Sequence, residues 1–322
     1  MAAAVLPPPA DPNTLYVMDL SGYVFRAYHA VPPLSNSKGE PTHAVHGVTA
    51  MMNKLITQRR PVYFAVAVDA RGPSFRKAIY PDYKATRKER PADIAPQEER
   101  VKEIAAAYHI PCLAEEGMEA DDIIATVVRK AREAGLTVVI ASADKDMLQL
   151  IGDGVVMLDS MRDRVYGEDE TIEKLGVKPS QVRDYLSLTG DSSDNVPGVP
   201  GVGPKTAVQL LTQYETLDGV YAHVDQVEKK SIREKLQANR DKAYLSQQLV
   251  SLKEDVAIDF DLEKLRYGGA DVPRLRQLFT DLELHRAKEE LERTLGRDVP
   301  RGTVETTARP APRAAIATKP AA

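Results

Sequence analysis

Apolar and polar positions follow two rhythms along this chain. Three short runs are apolar almost throughout: Leu15–Asp19 (LYVMD), Val62–Val68 and Leu136–Ala141. Each reads as a buried strand. Ile110–Leu113 reads as a further short strand, and Val155–Leu158 with Arg164–Tyr166 as a hairpin whose tip is Met161-Arg162-Asp163. Between these runs the apolar positions recur at helical spacing. Val45, Val48, Met52, Leu55 and Ile56 predict one helix, and Ile94, Val101, Ile104, Ala105 and Tyr108 predict a second over 91–108. Ile123, Ile124, Val127 and Val128 predict a third, opened by Glu119-Ala120-Asp121-Asp122 and stopped at Gly135. Leu20-Ser21-Gly22 reads as a polar turn. Strands alternating with helices predict an α/β fold with a mainly parallel central sheet flanked by helices.

Past the hairpin the strands nearly stop. Helices are expected over 179–189 (with proline in the first turn), 204–211, 229–239, 241–252, 272–281 and 284–295, with Val256–Phe260 as one late strand. The expected divisions are a mobile tail over 1–13, an α/β core over 14–190, a helical region over 191–298, and a tail or linker over 299–322.

Composition narrows the classes without choosing among them. In 322 residues, 43% are hydrophobic and 28% charged, which suits a globular protein with a sizeable core. A net charge of −4 neither requires nor excludes a nucleic-acid partner, so charge must be read locally. Cys112 is the only cysteine, which excludes an intrachain disulfide and a multi-cysteine zinc site and fits a reducing cytoplasm. The first thirteen residues lack the basic and apolar regions of a secretory signal. No run reaches the roughly 18 apolar residues of a membrane span.

The candidate chemistry is acidic. Three carboxylates in four positions, Glu119, Asp121 and Asp122, open one helix, where the macrodipole alone favours negative charge. One such triple is also expected by chance in a chain with 47 acids. The strand ends change the weight of that observation. Val62–Val68 is followed by Asp69, Leu136–Ala141 by Asp144 and Asp146, and the first strand ends in Asp19. In open α/β sheets ligands bind beyond the carboxyl ends of the strands. Seven carboxylates converging there would repel one another unless cations neutralise them, and with no cysteine or histidine cluster the cations would be hard ones, Mg²⁺ or Mn²⁺.

Two further stretches point to a polyanion. Arg71–Arg90 holds seven basic residues against two acidic ones, with Tyr80 and Tyr83 among them; Arg76 and Lys77 are candidate phosphate contacts, and the tyrosines could stack unpaired bases. Gly201-Val202-Gly203-Pro204-Lys205-Thr206 opens a helix, so its backbone N–H groups could approach a phosphate, with Lys205 adding charge. The spacing excludes a phosphate-loop NTPase. Flanked by helices, the hairpin resembles a helix-hairpin-helix, a DNA-backbone clamp. Lys229, Lys230, Arg233, Lys235, Arg240 and Lys242 are weaker candidates for duplex contact.

Taken together these motifs resemble the 5′-nuclease family of flap endonucleases and the amino-terminal domain of bacterial DNA polymerase I, most closely the polymerase I version. The resemblance runs from about Leu15 to Leu295. It rests on Met18-Asp19, Phe25-Arg26-Ala27-Tyr28-His29-Ala30, Pro81-Asp82-Tyr83-Lys84-Ala85-Thr86-Arg87, Glu119-Ala120-Asp121-Asp122, Asp144-Lys145-Asp146, Gly190-Asp191-Ser192-Ser193-Asp194-Asn195 and the glycine hairpin. One departure is Leu20, where the family usually has glycine.

The resemblance implies a PIN-like sheet, a helical arch over about 71–108 and a helix-hairpin-helix behind it. It implies a structure-selective 5′-3′ exonuclease and flap endonuclease, acting in replication primer removal and DNA repair. Two Mg²⁺ (or Mn²⁺) ions about 4 Å apart would be held by Asp19, Asp69, Glu119, Asp121, Asp122, Asp144 and Asp146 and, for the second ion, Asp191 and Asp194. Lys84 and Arg87 would face the scissile phosphate, Tyr83 would stack a base, and Arg26 would contact DNA. Gly201, Gly203, Lys205 and Thr206 would hold the duplex, with K⁺ at the hairpin. The implied partners are DNA with a 5′ flap, nick or 5′ end, an RNA–DNA hybrid, and a DNA polymerase, for a monomer working at the bacterial nucleoid. A PIN-like ribonuclease would share the acidic edge but leave the hairpin unexplained. A non-catalytic helix-hairpin-helix DNA-binding protein would leave the acidic edge without a purpose.

Overall fold

The first strand fixes the architecture because it is buried on both faces. A computed structural model of the chain describes residues 3–87 and 89–295, so the expected tail or linker over 299–322 lies outside the described residues. Every residue of β1 (Thr14–Asp19) is buried. It pairs in parallel with β2 (Tyr63–Ala67) on one side and β4 (Thr137–Ala141) on the other, with Met18 level with Val66 and Ala141. The short β3 (Cys112–Leu113) extends the β2 side. On the β4 side, β5 (Val155–Asp159) is parallel and β6 (Arg164–Tyr166) returns antiparallel as the expected hairpin. The order is β3-β2-β1-β4-β5-β6, the mainly parallel sheet expected from the apolar runs.

The two-residue period of the strand divides the core. Leu15 and Val17 face a cluster built from α5 (Ala120–Glu133), α7 (Val182–Thr189) and α8 (Pro204–Tyr214). Tyr16 and Met18 face the opposite cluster, built from α1 (Leu20–Ala30), α2 (His43–Arg59), α4 (Ile94–Ala107) and α13 (Val272–Asp281). The remaining helices are α3 (Arg76–Ile79), α6 (Glu168–Leu175), α9 (Leu217–Ala222), α10 (Lys230–Ala238), α11 (Arg240–Val250), α12 (Leu262–Leu265) and α14 (His285–Leu295).

Several expectations are corrected. Leu20-Ser21-Gly22 is the first turn of α1, not a loop; β1 passes into the helix with Asp19 itself as the N-cap. Val256–Phe260 forms no strand: the Ile258 and Phe260 N–H groups bond carbonyls only two residues back, at 2.8 and 3.0 Å. Among the described residues of 71–108, only α3 and α4 are helical, with turns over 81–87. Residues 3–13 are not a free tail: the Ala4 N–H donates to Glu170 (2.9 Å), the Ala10 N–H to the Arg59 carbonyl (2.8 Å), and Leu6 packs on the second core. Among the described residues no helix is long and apolar enough to cross a membrane.

Candidate active site

The carboxyl edge of the sheet collects the acids, each held by a different local device. Asp19, 5% exposed, accepts the Gly22 N–H at Oδ1 (2.8 Å) and the Ser142 hydroxyl at Oδ2 (2.9 Å). Asp69 accepts the Ala120 N–H (2.9 Å). That bond places the N-terminus of α5 beside the exit of β2, as the sequence required for Glu119 and Asp121 to join the others. Asp144 caps a 3₁₀ turn over 145–150 by accepting the Asp146 N–H (2.9 Å).

Electrostatics show that these acids share one field. Burial, with the charges of Asp69 and Asp144 behind it, outweighs the bonds from Gly22 and Ser142 and raises the Asp19 carboxyl to about 7. Burial likewise pushes Asp121 well above the usual carboxylate range, reinforced by Asp144, Asp19, Asp146 and Glu119. Asp146 is pushed up by burial and then by Asp144, Asp191 and Asp194. Its Oδ1 is buried with no hydrogen-bond partner. A buried acceptor in that state is costly unless something else satisfies it. Acid density, raised protonation and an orphaned oxygen together fit a hard divalent cation. Among the described residues no three side chains close into a ready-made metal cage; the acids line an edge.

Asp191 and Asp194 reach the same edge from the loop after α7, and both are clamped. Lys145 lies 2.8 Å from Asp191 Oδ2. Burial disfavours the Asp191 charge, but Lys145 and the Ser193 N–H outweigh it and hold the carboxyl below its ordinary range. Asp194 pairs with Arg87 and lies 3.7 Å from Lys84 Nζ. Lys84 also bonds Glu119 Oε1 at 2.5 Å, and these two acids outweigh burial to raise its ammonium.

Three expected roles are altered by burial. Tyr83 is 3% exposed, and its hydroxyl lies within hydrogen-bond distance of both Glu119 (3.0 Å) and Asp194 (3.1 Å), so its ring is packed inside rather than presented to a base. Arg76, expected at phosphate, is 1% exposed and forks onto Asp122. Asp122, expected as a metal ligand, is 0% exposed; its oxygens are taken by Arg76 and by the Glu119 and Lys253 N–H groups. Arg26 donates to the Ala143 carbonyl (2.7 Å) next to Asp144, and Lys77 is half-buried, reaching the Pro81 carbonyl (3.3 Å).

The glycine hairpin lies in the helical region, with Gly201, Gly203 and Lys205 exposed and Thr206 half-buried. Gly201 has a φ of +82°, a conformation that favours glycine. A Cβ there would also lie 2.2 Å from Lys235 Nζ. Lys235, one of the weaker candidates for duplex contact, thus sits over the hairpin, 34 residues away in sequence, a placement no local pattern marks. Lys145 was legible, lying between two acids of its own motif; Ser142 and Gly22, which hold Asp19, were not.

Residues 14–176 match the family model described as 5′-3′ exonuclease, N-terminal resolvase-like domain, and residues 177–273 match 5′-3′ exonuclease, C-terminal SAM fold. A 5′-3′ exonuclease of Aquifex aeolicus is 39% identical over 281 residues, covering 87% of this chain and 96% of that protein. DNA polymerase I of Rhizobium leguminosarum is 43% identical over 269 residues, covering 81% of this chain and 26% of the polymerase. That of Pseudomonas aeruginosa is 40% identical, covering 91% and 33%. The chain therefore spans about a quarter to a third of these polymerases. Among solved structures, T5 5′-exonuclease with bound divalent metal ions superposes with a TM-score of 0.60 at 21% identity, covering 87% of this chain and 98% of that one. The catalytic core of Rad2 with DNA substrate gives 0.60 at 16%, covering 89% and 95%. At those identities the likeness establishes the fold.

Proposed function

This chain belongs to the 5′-3′ exonuclease family, and we propose that it is a structure-selective 5′ nuclease that hydrolyses DNA at a 5′ flap, nick or 5′ end. The observation that carries the reading is the shared field of Asp19, Asp69, Asp121, Asp144 and Asp146, with one Asp146 oxygen buried and unpartnered. Asp19, Asp69, Glu119, Asp121, Asp144 and Asp146 would hold one or both of two divalent cations, Mg²⁺ or Mn²⁺, and Asp191 and Asp194 would contribute to the second. Bound there, such cations supply Lewis acidity and lower the pKa of water.

The chain's own residues do the rest. Asp19 is oriented through Gly22 and Ser142. Lys84 and Arg87, now on Glu119 and Asp194, are within reach of a phosphate arriving at the edge and stabilise charge developing on its oxygens. Exchanging a carboxylate for a phosphate oxygen preserves their charge-assisted bonds. The hairpin 201–206, with Lys205 and Lys235, grips the backbone of the duplex behind the cut, and its backbone would hold a potassium ion there. DNA is the substrate, RNA in RNA–DNA hybrids a second one, and a DNA polymerase the functional partner. The protein works as a monomer in the cytoplasm, and its divisions are a core over 14–190 and a helical duplex-binding region over 191–298.

Replacing both Asp144 and Asp146 by alanine tests this. Flap cleavage in Mg²⁺ should be lost while flap binding in calcium persists. Cleavage at the wild-type rate would remove the assignment.

A further inference from the structure

Arg76 is the bulkiest side chain the fold buries completely, and the reaction as proposed gives it no part. All five of its N–H donors are used. Nε donates to the Leu249 carbonyl (2.7 Å); Nη1 donates to Asp122 Oδ2 (2.7 Å) and Glu119 Oε2 (3.1 Å); Nη2 donates to Asp122 Oδ1 (2.8 Å) and the Ser251 carbonyl (2.9 Å). Asp122 is equally saturated, taking the Lys253 N–H at 2.9 Å and the Glu119 N–H at 3.2 Å.

Three remote pieces of chain meet at this pair: the base of the basic segment, the first turn of α5, and the chain leaving α11. The seam continues along α5. Thr126 Oγ1 donates to the Lys253 carbonyl and accepts the Val256 N–H, both at 3.2 Å, and Arg129 Nε donates to the Glu254 carbonyl at 2.7 Å. In the other direction α11 holds the hairpin loop, since Ser246 Oγ accepts the Gly198 N–H at 2.9 Å. One connected path therefore runs from Gly198 through α11 and Arg76 to Glu119, at the head of the helix that carries Asp121.

Stability alone does not account for it. A buried ion pair is often no more stabilising than apolar residues of the same volume. What the fork adds is direction, since a guanidinium fixes its acceptors in a plane. We propose that Arg76 is a positioning residue for the cut: it sets the acidic edge at a fixed offset from the duplex-holding hairpin and so determines which phosphodiester reaches the acids. This rests on the nuclease reading above.

The test uses the full chain, comparing wild type with Arg76→Lys and with the apolar double variant Arg76→Met, Asp122→Leu. A 5′-labelled flap is cut in Mg²⁺ and the products are sized. Thermal midpoints and hydrogen exchange of the metal-free proteins are measured in parallel. Wild type should cut at one principal bond. Both variants should spread the cuts over adjacent bonds, and the double variant should do so while recovering most of the midpoint lost by Arg76→Lys. Exchange should rise together in 118–124 and 249–256, with β4 unchanged. Variants that cut at the wild-type bond, or exchange that rises in only one of the two segments, would overturn the proposal. If wild type cleaves no flap, the nuclease reading falls, and joint exchange still decides whether Arg76 ties the two segments.

Discussion

A Cβ on residue 22 would lie 2.1 Å from Asp19 Oδ2, so Gly22 is the wall against which this carboxylate rests. Its N–H holds the other oxygen. Gly22→Ala should therefore displace Asp19 rather than merely crowd it. Flap cleavage should fall by at least about tenfold, the rate equivalent of about 1.4 kcal/mol, while flap affinity in calcium changes little. Single-turnover cleavage and a calcium binding titration separate these outcomes; a wild-type rate would contradict the close fit.

The raised Asp19 carboxyl predicts an inverted pH dependence for the metal-free protein. In the native state Asp19 holds its proton up to about 7, whereas in the unfolded chain it ionises near 4. Between those values the folded state binds the extra proton. Its contribution to stability is present below the unfolded pKa and is lost as pH rises through the folded one. Asp19→Asn, which cannot ionise, should raise the thermal midpoint at pH 8 and leave it nearly unchanged at pH 4. Equal shifts at both pH values would contradict the assignment.

Cation binding should show the opposite slope. Ligand acids must lose their protons to bind a metal, and Asp19, Asp121 and Asp146 all hold theirs tightly. Mg²⁺ should therefore raise the thermal midpoint more at pH 8 than at pH 6. Isothermal titration should also record proton release into the buffer. A midpoint shift independent of pH would place the cation elsewhere.

Lys84 meets Glu119 at 2.5 Å and stands beside Asp194, which puts a cation where charge would develop. Lys84→Ala should lower the rate of cleavage by roughly 10²-fold, the usual cost of one such electrostatic group. Flap affinity in calcium should hold within a few-fold. A loss confined to affinity would make Lys84 a binding residue only.

The hairpin makes a quantitative prediction about salt. Lys205 and Lys235 are exposed, with Lys235 Nζ lying over Gly201. Replacing either by alanine should weaken duplex binding across sequences and reduce the salt slope by about one. An unchanged slope for Lys235→Ala would leave its place above the hairpin without a function.

What could be read from the chain was whatever the sheet imposes locally. β1, β2 and β4 had to be apolar because both faces are covered, and Asp19, Asp69 and Asp144 marked where each strand leaves the core. α1 was hidden because no loop separates it from β1 and because the residue capping it also ends the strand. Val256 and Ile258 pack inward like strand residues, yet their segment is tied side-on to α5 through Thr126 rather than to another strand. Arg76 looked like its basic neighbours; the partner that buries it lies 46 positions away, and nothing local announces it. Asp122 was misread for the matching reason, since a triple of acids gives no sign of which member turns inward.

If the acidic edge hydrolyses DNA at a 5′ structure with divalent cations bound, cleavage depends on both the structure and the ion. The most direct measurement is cleavage of a 5′-labelled flap in Mg²⁺, in calcium and in chelator, with the ends of the products identified. The expected products are a flap fragment ending in a 3′-hydroxyl and a downstream strand beginning with a 5′-phosphate, with no cleavage in calcium or chelator. Cleavage that persists in chelator, or single-stranded RNA cut faster than the flap, would contradict that dependence.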